Sequence, residues 1–550
     1  MHSRFLQVLV FLLLVFCNNT LAVLPSLFSR DLAVDGVNAT ITSLLLASDK
    51  QSYHLLLKTG QITFRVALDT GSSDLWLTSS ACLTKTCNLS PRYPLTYQSP
   101  TFEVVNNNRT AFNARYTDGT AVSGFVAKEE ITIGNLTVPQ QAFGIVTQSN
   151  LTFVDQVSGI LGLGFSRLST INRTSTQSSP FLATLVEKGL LDYPLFGISL
   201  TRNSPGTLTL GSIDGSVVKN VNDVEWDEVV QFPPIGFESE QTSYWQWALP
   251  LKAVNLNGKP VSLSPSYPTM TGGSSIVVFD LGTSGIYGPW TDVAQIFSGI
   301  SESRLVDANG QWAVPCDTGA LLTFTFGSKN FTLQPIDYLI GPTAGNPRLC
   351  LSWPRAATPT PDGVDWVLGT PFLRSVYSIF SYGIDTKEPP MIGLYALERN
   401  VTTTTDLSSF FSSFSATIAT TLPNSLLPTP TPFTAPYRLN SSFTAPTGGI
   451  VLSGLANSTY SPILAQEPTT NFSALPIITA SPTVATFTFT NPTGGLSTST
   501  SHYSAASVVL GVPPGWNPNG ASSRLRLPMH GLFILLLPIA ILLTIFEYRI

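Results

Sequence analysis

Two short segments, one in each half of the chain, repeat the same arrangement, and this repeat constrains the fold more than any other feature. Residues 66–73 read Val-Ala-Leu-Asp-Thr-Gly-Ser-Ser, and residues 277–284 read Val-Val-Phe-Asp-Leu-Gly-Thr-Ser. In each segment an apolar run typical of a buried strand delivers an aspartate onto a turn that contains glycine. At a similar distance downstream, each is followed by an apolar run that ends in glycine, at residues 159–162 and 366–369. The pattern predicts two duplicated lobes that contribute Asp69 and Asp280 to a shared cleft.

The chain offers carboxylates rather than histidines for acid–base chemistry. It has four histidines, and only His54 falls in the part predicted to be globular. A Ser-His-Asp triad, a Cys-His pair and a His-Glu-x-x-His zinc site all require histidine among other partners. These classes of hydrolase are therefore excluded, and we expect no metal and no cofactor.

Charge is sparse along the chain. The formal net charge is −5, and 11% of the residues are charged. No basic patch indicates a nucleic-acid partner, and the mild acidity fits a protein that works in acidic surroundings.

The N-terminal part of the sequence is typical of an exported protein. A basic start, a short apolar run and small residues near Ala22 predict a signal peptide over residues 1–22. We expect residues 23–40 to be a short propeptide or an N-terminal extension. Eleven Asn-x-Ser/Thr sequons follow the signal, which favours N-glycosylation in a eukaryotic secretory pathway.

Four cysteines remain after the predicted signal peptide, and an even number in an exported chain favours disulfides. Three connectivities are possible, of which the local pairing is the most economical. Metal binding is disfavoured because no histidine or paired C-x-x-C motif accompanies them. The local pairing joins Cys82 to Cys87 and Cys316 to Cys350.

Short runs of β-forming residues, separated by Gly, Asn, Asp and Pro, predict an almost all-β globular part. We place an N-terminal lobe at residues 41–203 and a C-terminal lobe at residues 204–398. The clearest helix is predicted at residues 180–189, with Gly189 as its stop.

Composition changes after residue 398. Residues 399–525 are rich in Ser, Thr and Pro, so we expect a disordered, extended stalk there, either O-glycosylated or a plain linker. Residues 526–550 contain a sixteen-residue apolar run at 531–546, preceded by small residues at 519–523. This order predicts a glycolipid (GPI) anchor signal. The alternative is a single transmembrane helix, which Glu547 and Arg549 beyond the run favour.

Over residues 50–398 the chain resembles the pepsin-like aspartic protease family. Three segments carry the resemblance: Asp69–Trp76 matches the first active-site motif, Tyr116–Thr120 is similar to the flap hairpin, and Trp366–Arg374 matches the strand and helix near the end of the second lobe. The four cysteines fall where the family places two of its disulfides. The resemblance implies a bilobal fold with the active site between the lobes.

The resemblance also implies a mechanism and roles for the residues around the two aspartates. Because two adjacent carboxyls cannot both ionise, one activates a water molecule while the other polarises the scissile carbonyl; pepsin is the standard example of this behaviour. By the resemblance, Ser72 and Thr283 donate hydrogen bonds to the outer carboxylate oxygens, and Gly71 and Gly282 let the water approach. Tyr116, held by Trp76, closes the cleft, and Asp118 and Gly119 lie at the flap tip.

One position departs from the family pattern. Leu281 stands where a Thr or Ser hydroxyl usually helps to lock the two active-site loops together, whereas Thr70 keeps that role in the first lobe. We therefore carry two functional hypotheses. The first is a monomeric, zymogen-derived endopeptidase that cleaves polypeptides at acidic pH on the plasma membrane or cell wall, resembling the fungal yapsins. The alternative is a catalytically weakened homologue that serves as a wall or binding protein.

Overall fold

The structure is a computed structural model in which the main body spans residues 38–397. Short gaps in the description fall at 154, 172–175, 177, 203, 233–242, 267, 269–270, 344–345 and 361–362. Beyond the body, the described residues are 412, 459–464, 472–479, 484–490, 496–502 and 509–513. The predicted signal peptide and anchor signal lie outside the described residues. In the part that is described, no helix is both long and apolar enough to cross a bilayer.

The first half of the body is built mainly from strands. Its strands are β1 (Thr40–Leu46), β2 (Tyr53–Thr59), β3 (Ile62–Asp69), β4 (Leu75–Thr78), β5 (Glu103–Val104), β6 (Ala111–Arg115), β7 (Ala121–Ile133), β8 (Leu136–Ser149), β9 (Gly159–Gly162), β10 (Leu195–Ser199) and β11 (Gly206–Leu210). Helix α1 covers Phe181–Glu187, and Gly189 follows it with a positive φ of 64°, as the sequence predicted.

The second half repeats this strand-rich construction. Its elements are β12 (Ile213–Asp214), β13 (Glu225–Glu228), β14 (Gln231–Phe232), β15 (Ser243–Tyr244), β16 (Ala248–Leu251), β17 (Ala253–Leu256), β18 (Lys259–Val261), β19 (Ser275–Phe279), β20 (Ile286–Pro289), α2 (Trp290–Ser298), β21 (Arg304–Leu305), β22 (Trp312–Pro315), β23 (Leu322–Phe326), β24 (Lys329–Leu333), α3 (Pro335–Tyr338), β25 (Leu339–Thr343), β26 (Asn346–Ser352), β27 (Arg355–Ala357), β28 (Trp366–Leu368), α4 (Thr370–Leu373), β29 (Val376–Ser381) and β30 (Met391–Ala396). The fold is the almost all-β architecture that was predicted.

A central sheet joins the two halves. Its strand order β13-β30-β29-β10-β11-β1 alternates between late and early parts of the chain, and it continues through β2 and β3 into the first lobe. The predicted lobe boundary at residues 203 and 204 falls in the turn between β10 and β11, so both of those strands belong to the shared sheet.

Large aromatic side chains fill the junction between the halves. Phe196 of β10 stacks on Phe380 of β29 with ring centroids 4.8 Å apart. Trp247 lies 4.1 Å from Phe165 between ring centroids, and its indole N–H donates to the carbonyl of Leu163 at 3.0 Å. All four rings are buried, so burial of apolar surface holds the lobes together.

Both predicted disulfides are present. Cys82 is bonded to Cys87 in the first lobe, and Cys316 is bonded to Cys350 in the second. The second bridge joins Cys350 of β26 to the residue that directly follows β22, the neighbouring strand.

Most of the predicted stalk, residues 399–525, lies outside the described residues, and its disorder there stays a prediction. The pieces that the structure describes contain strands β31 (Ile477–Ile478), β32 (Val484–Thr490) and β33 (Leu496–His502). Strands β32 and β33 form an antiparallel hairpin, and β31 pairs with β12 of the body. Within these pieces the side chains of Leu464, Leu475 and Ile478 are buried.

Candidate active site

The two sequence repeats occupy equivalent places in the two lobes. Asp69 is the last residue of β3, and β3 runs parallel to β9 with Asp69 opposite Gly162. Asp280 directly follows β19, which runs parallel to β28. The downstream glycine-ending runs are therefore the parallel partners of the strands that deliver the aspartates, which is the structural reason for the matched pattern.

Each aspartate is held by the same two donors from its own loop. The hydroxyl of Ser72 donates to Oδ2 of Asp69 at 2.5 Å, and the Gly71 N–H donates to Oδ1 at 2.8 Å. Around Asp280 the Thr283 hydroxyl donates to Oδ2 at 2.5 Å and the Gly282 N–H to Oδ1 at 2.9 Å. The two loops therefore make the same hydrogen bonds, as their shared sequence pattern would lead one to expect.

The two carboxyls lie against each other across the lobe boundary. They are within hydrogen-bonding reach, and a methyl group at Gly282 would come within 2.5 Å of Oδ1 of Asp69. This contact requires glycine at position 282. Burial first, and then the neighbouring charge of Asp280, raise the pKa of Asp69 to about 7. Below about pH 7 the pair therefore holds at least one proton.

One hydroxyl links the two aspartate loops. The buried Thr70 side chain donates to the carbonyl oxygen of Phe279 at 2.9 Å, and its oxygen accepts the N–H of Leu281 at 2.8 Å. Leu281 has no hydroxyl to return this interaction, and its side chain is buried in the main hydrophobic core instead. The lock between the loops is thus made from the first lobe, as the sequence indicated.

The predicted flap is a hairpin between β6 and β7. The turn is closed by a bond from the Tyr116 N–H to the Thr120 carbonyl at 2.9 Å, and Gly119 at its tip has a positive φ of 86° that favours glycine. The indole N–H of Trp76 donates to the Tyr116 phenol oxygen at 2.7 Å. Burial, followed by the charge of Asp69, raises the pKa of Tyr116, so the phenol stays protonated and can donate its own hydrogen to a ligand.

Asp118 lies exposed in the flap turn. Its Oδ1 accepts the N–H of Thr120 at 2.8 Å and the Thr120 hydroxyl at 2.7 Å. The side chain therefore helps to form the turn, while its charge remains at the flap tip.

Sequence reasoning gave no role to Asp74, which the structure shows to be a positioning residue. This buried carboxylate accepts the Ser169 hydroxyl at 2.5 Å, and the N–H of Thr170 at 2.6 Å and its hydroxyl at 2.8 Å. It fastens the loop after β9 to the segment that carries Asp69 and Trp76. In the sequence, Asp74 stands between the turn after Asp69 and an apolar strand. A carboxylate buried at such a place requires hydrogen-bond donors, and this requirement could have predicted its role.

The arrangement defines a class of protein. Two carboxyls that share a proton at the meeting point of two lobes, beneath a flap, can activate water without a covalent intermediate. Among the described residues, no group of three or more His, Cys, Asp or Glu side chains is arranged to hold a metal ion. The fold and the site are those of an aspartic-type hydrolase.

Comparison with known proteins gives the family. The model of the eukaryotic aspartyl protease family matches residues 53–388. An aspartic protease of Phaffia rhodozyma is 31% identical over 358 residues, which cover 63% of this chain and 78% of that protein. Vacuolar protease A of Neurospora crassa is 30% identical over 331 residues, 59% of this chain and 74% of that protein. Cathepsin D of Gallus gallus is 30% identical over 335 residues, 59% of this chain and 76% of that protein.

The chain therefore belongs to the eukaryotic aspartyl protease family. It is an aspartic-type endopeptidase, a hydrolase of peptide bonds whose substrates are polypeptides.

Proposed function

We propose that Asp69 and Asp280 are the catalytic pair of this endopeptidase. The observation that carries the proposal is the symmetric pair of carboxyls, each held by a hydroxyl three residues further on and by a glycine N–H. These bonds leave the two carboxyls facing a common space while fixing their orientation, which acid–base catalysis requires.

The chemistry follows from one shared proton. The ionised carboxylate takes a proton from a bound water, whose oxygen adds to the carbonyl carbon of the scissile bond. The protonated carboxyl gives its proton to the carbonyl oxygen, which forms a tetrahedral diol. The carboxyl that took the proton from water then protonates the nitrogen, the C–N bond breaks, and a diol hydroxyl returns its proton to the other carboxylate. Because the raised pKa of Asp69, about 7, marks the loss of the shared proton, activity should belong to acidic pH.

The flap completes the site in this proposal. Tyr116 is held by Trp76 and carries a free phenol hydrogen, and closure of the hairpin over a substrate excludes bulk water from the carboxyls. Gly71 and Gly282 leave room for the attacking water beside them.

A peptide library tests whether the enzyme is active or is a weakened homologue with a binding role. We expect the purified secreted protein to cleave internal peptide bonds between pH 3 and 6, and a statine-type inhibitor, whose hydroxyl occupies the place of the attacking water, to stop it. Binding of peptides without cleavage at any pH would support the weakened homologue instead.

We further propose that the protein travels the secretory pathway and is held at the cell surface by a glycolipid. Relatives named as vacuolar proteases support the pathway. The small residues at 519–523, followed by a spacer and the apolar run at 531–546, support the anchor. A phosphatidylinositol-specific phospholipase should release the protein from membranes. Mass-spectrometric detection of residues 531–550 in the mature protein would show a transmembrane helix instead.

A further inference from the structure

A segment of the Ser/Thr/Pro-rich region returns to the catalytic body and binds it. We call the described residues 459–464 and 472–479 the strap. The phenol of Tyr460 donates to the carbonyl of Leu191 at 2.9 Å. The N–H groups of Ile463 and Leu464 donate to one carboxylate oxygen of Glu388 at 2.9 and 2.7 Å.

The second half of the strap adds a strand to the body. Strand β31 lies parallel to β12, with the Ile213 N–H donating to the Pro476 carbonyl at 2.9 Å and the Gly215 N–H to the Ile478 carbonyl at 2.8 Å. A strand that pairs in this way covers hydrogen-bonding groups that an edge would otherwise expose.

Apolar burial accompanies these hydrogen bonds. Leu464, Leu475 and Ile478 are between 3% and 6% exposed, and the first two belong to the main core. The ring of Phe472 stacks on Trp226 with centroids 6.5 Å apart and planes inclined by 20°. A Ser/Thr-rich linker would not bury such residues in a folded body unless it bound there specifically.

The body presents a built receptor for the strap. Glu388 is 1% exposed, and both of its oxygens accept the Tyr193 hydroxyl, at 2.7 and 2.9 Å. Burial of a carboxylate is costly unless hydrogen-bond donors surround it. The strap supplies two of the donors that this carboxylate uses, so Glu388 and the strap complement each other.

The receptor flanks the central sheet and is separate from the flap and the aspartate loops. Leu191 and Tyr193 precede β10, Ile213 lies in β12, Trp226 lies in β13, and Glu388 lies between β29 and β30. The strap thus crosses the seam between the halves of the molecule.

A third contact follows further along the chain. The N–H of Gly511 donates to the carbonyl of Thr63 in β3 at 2.9 Å, and Gly511 lies against Pro91. The chain therefore meets the body again after the strap.

We propose that the strap is an intramolecular tether clamp, which binds the post-catalytic segment to β12 and to the segments that flank the central sheet, and so shortens the chain that connects the body to its anchor. The binding of the strap is inferred from the contacts described above. Its effect on the length of the tether also requires the glycolipid anchor that we propose. A fully extended chain from residue 398 to 525 would reach about 400 Å, whereas the part after residue 479 reaches about 150 Å and the part after residue 513 about 40 Å. The enzyme would then act on substrates close to the surface that carries it.

Adjacent isoleucines provide a matched test in the full-length protein. Ile478 is 6% exposed and Ile477 is 53% exposed. We expect Ile478→Asp to release the strap, so that amide exchange at Ile213, Gly215, Ile463 and Leu464 becomes at least about tenfold faster. Ile477→Asp should leave these rates unchanged. Equal exchange rates in the two variants would overturn the clamp.

Two further measurements apply if the variant does not fold or if the protein is not lipid-anchored. If Ile478→Asp is not secreted, the milder pair Ile478→Ala and Ile477→Ala is measured in the same way. For the anchored protein, energy transfer from a dye on the body to an acceptor lipid should decrease when Ile478→Asp is combined with Gly511→Val, whose side chain would collide with Pro91 at the third contact. Equal transfer when Ile477→Asp is combined with Gly511→Val would overturn the strap's part in shortening the tether. If the protein is not lipid-anchored, the exchange rates alone decide whether the clamp exists.

Discussion

Thr70 joins the two aspartate loops through hydrogen bonds. Its hydroxyl both donates to Phe279 and accepts from Leu281, and the side chain is 1% exposed. In a site where the carboxyls must be placed within about half an ångström, a single buried hydroxyl with two partners has a large influence on their relative position.

Replacing Thr70 tests this role directly. Thr70→Val keeps the shape of the side chain but leaves the Leu281 N–H and the Phe279 carbonyl without their partner, at a cost of about 1–3 kcal/mol for each unsatisfied group. We expect a lower melting temperature and a turnover number reduced at least about tenfold, with KM little changed. Thr70→Ser retains the hydroxyl and should behave nearly as the wild type. A Val variant with the turnover of the Ser variant would show that the loops are positioned by other contacts.

The family pattern suggests that a hydroxyl at position 281 would raise the turnover number, but the structure predicts a decrease. A hydroxyl there would restore the missing half of the lock, but the leucine side chain is 5% exposed and packed in the core. Leu281→Thr removes apolar contacts and buries a hydroxyl. We therefore expect both the melting temperature and the turnover number to fall. A several-fold gain in turnover at unchanged stability would mean that the leucine impairs the natural enzyme.

At the scale of elements, the flap combines a hydrogen-bonded turn with a charge at its tip. Asp118 closes the turn through Thr120, and its carboxylate would favour a basic substrate side chain next to the scissile bond. Asp118→Asn keeps an acceptor for Thr120 and removes the charge. We expect the ratio of kcat/KM for Lys over Leu at that substrate position to decrease several-fold. An unchanged ratio would limit Asp118 to forming the turn.

The elements differ in how far the sequence could predict them. Strand β3 shows alternating burial along Ile62–Asp69, and helix α1 ends before a glycine, so local patterns located both. The aspartates and the flap carried motifs that predicted their places. The strap had only a weak local signal, apolar residues such as Tyr460, Phe472 and Ile478 spaced through a polar background. Its partners Glu388 and Tyr193 are distant in the sequence, and only the folded structure brings them together.

For the whole molecule, buried carboxyls link stability to pH. Burial is the largest cause that raises the pKa of Asp69 and of Asp292 to about 7, and that of Asp227 to about 6. In the unfolded chain such groups titrate near pH 4. The folded state therefore holds more protons between pH 4 and 7, and stability is lost as the pH rises through this window.

One buried histidine, His54, makes the protein more stable as the pH rises over part of the same window. Burial lowers the pKa of His54 to about 4, whereas an unfolded histidine titrates near 6.5. Its contribution to stability therefore rises between pH 4 and 6.5 and is constant above that. Because three carboxyls lose stability with rising pH and one histidine opposes them, the net loss of stability should persist from about pH 5 to 7 and level off above that.

Asp292 offers a way to isolate this effect. Its Oδ1 accepts the Ser264 N–H at 3.0 Å, and besides burial the charge of Asp365 also raises its pKa. Asp292→Asn keeps that acceptor and removes the titration. We expect the melting temperature at pH 7.5 to increase by several degrees relative to the wild type, with little change at pH 4. The exposed Asp317→Asn serves as the control, and an equal response of the two variants would contradict the assignment.

Asp69 and Asp280 are proposed to act as one catalytic pair, in which neither carboxyl works without the other. The most direct measurement is the turnover number of Asp69→Asn and of Asp280→Asn on a peptide substrate at acidic pH, beside Asp317→Asn. Since each carboxyl is needed for proton transfer, we expect either active-site variant to lose activity by at least about a thousandfold while it remains folded and secreted. Asp317→Asn should retain wild-type activity. If either active-site variant keeps a tenth or more of the wild-type turnover, the pair does not carry the reaction.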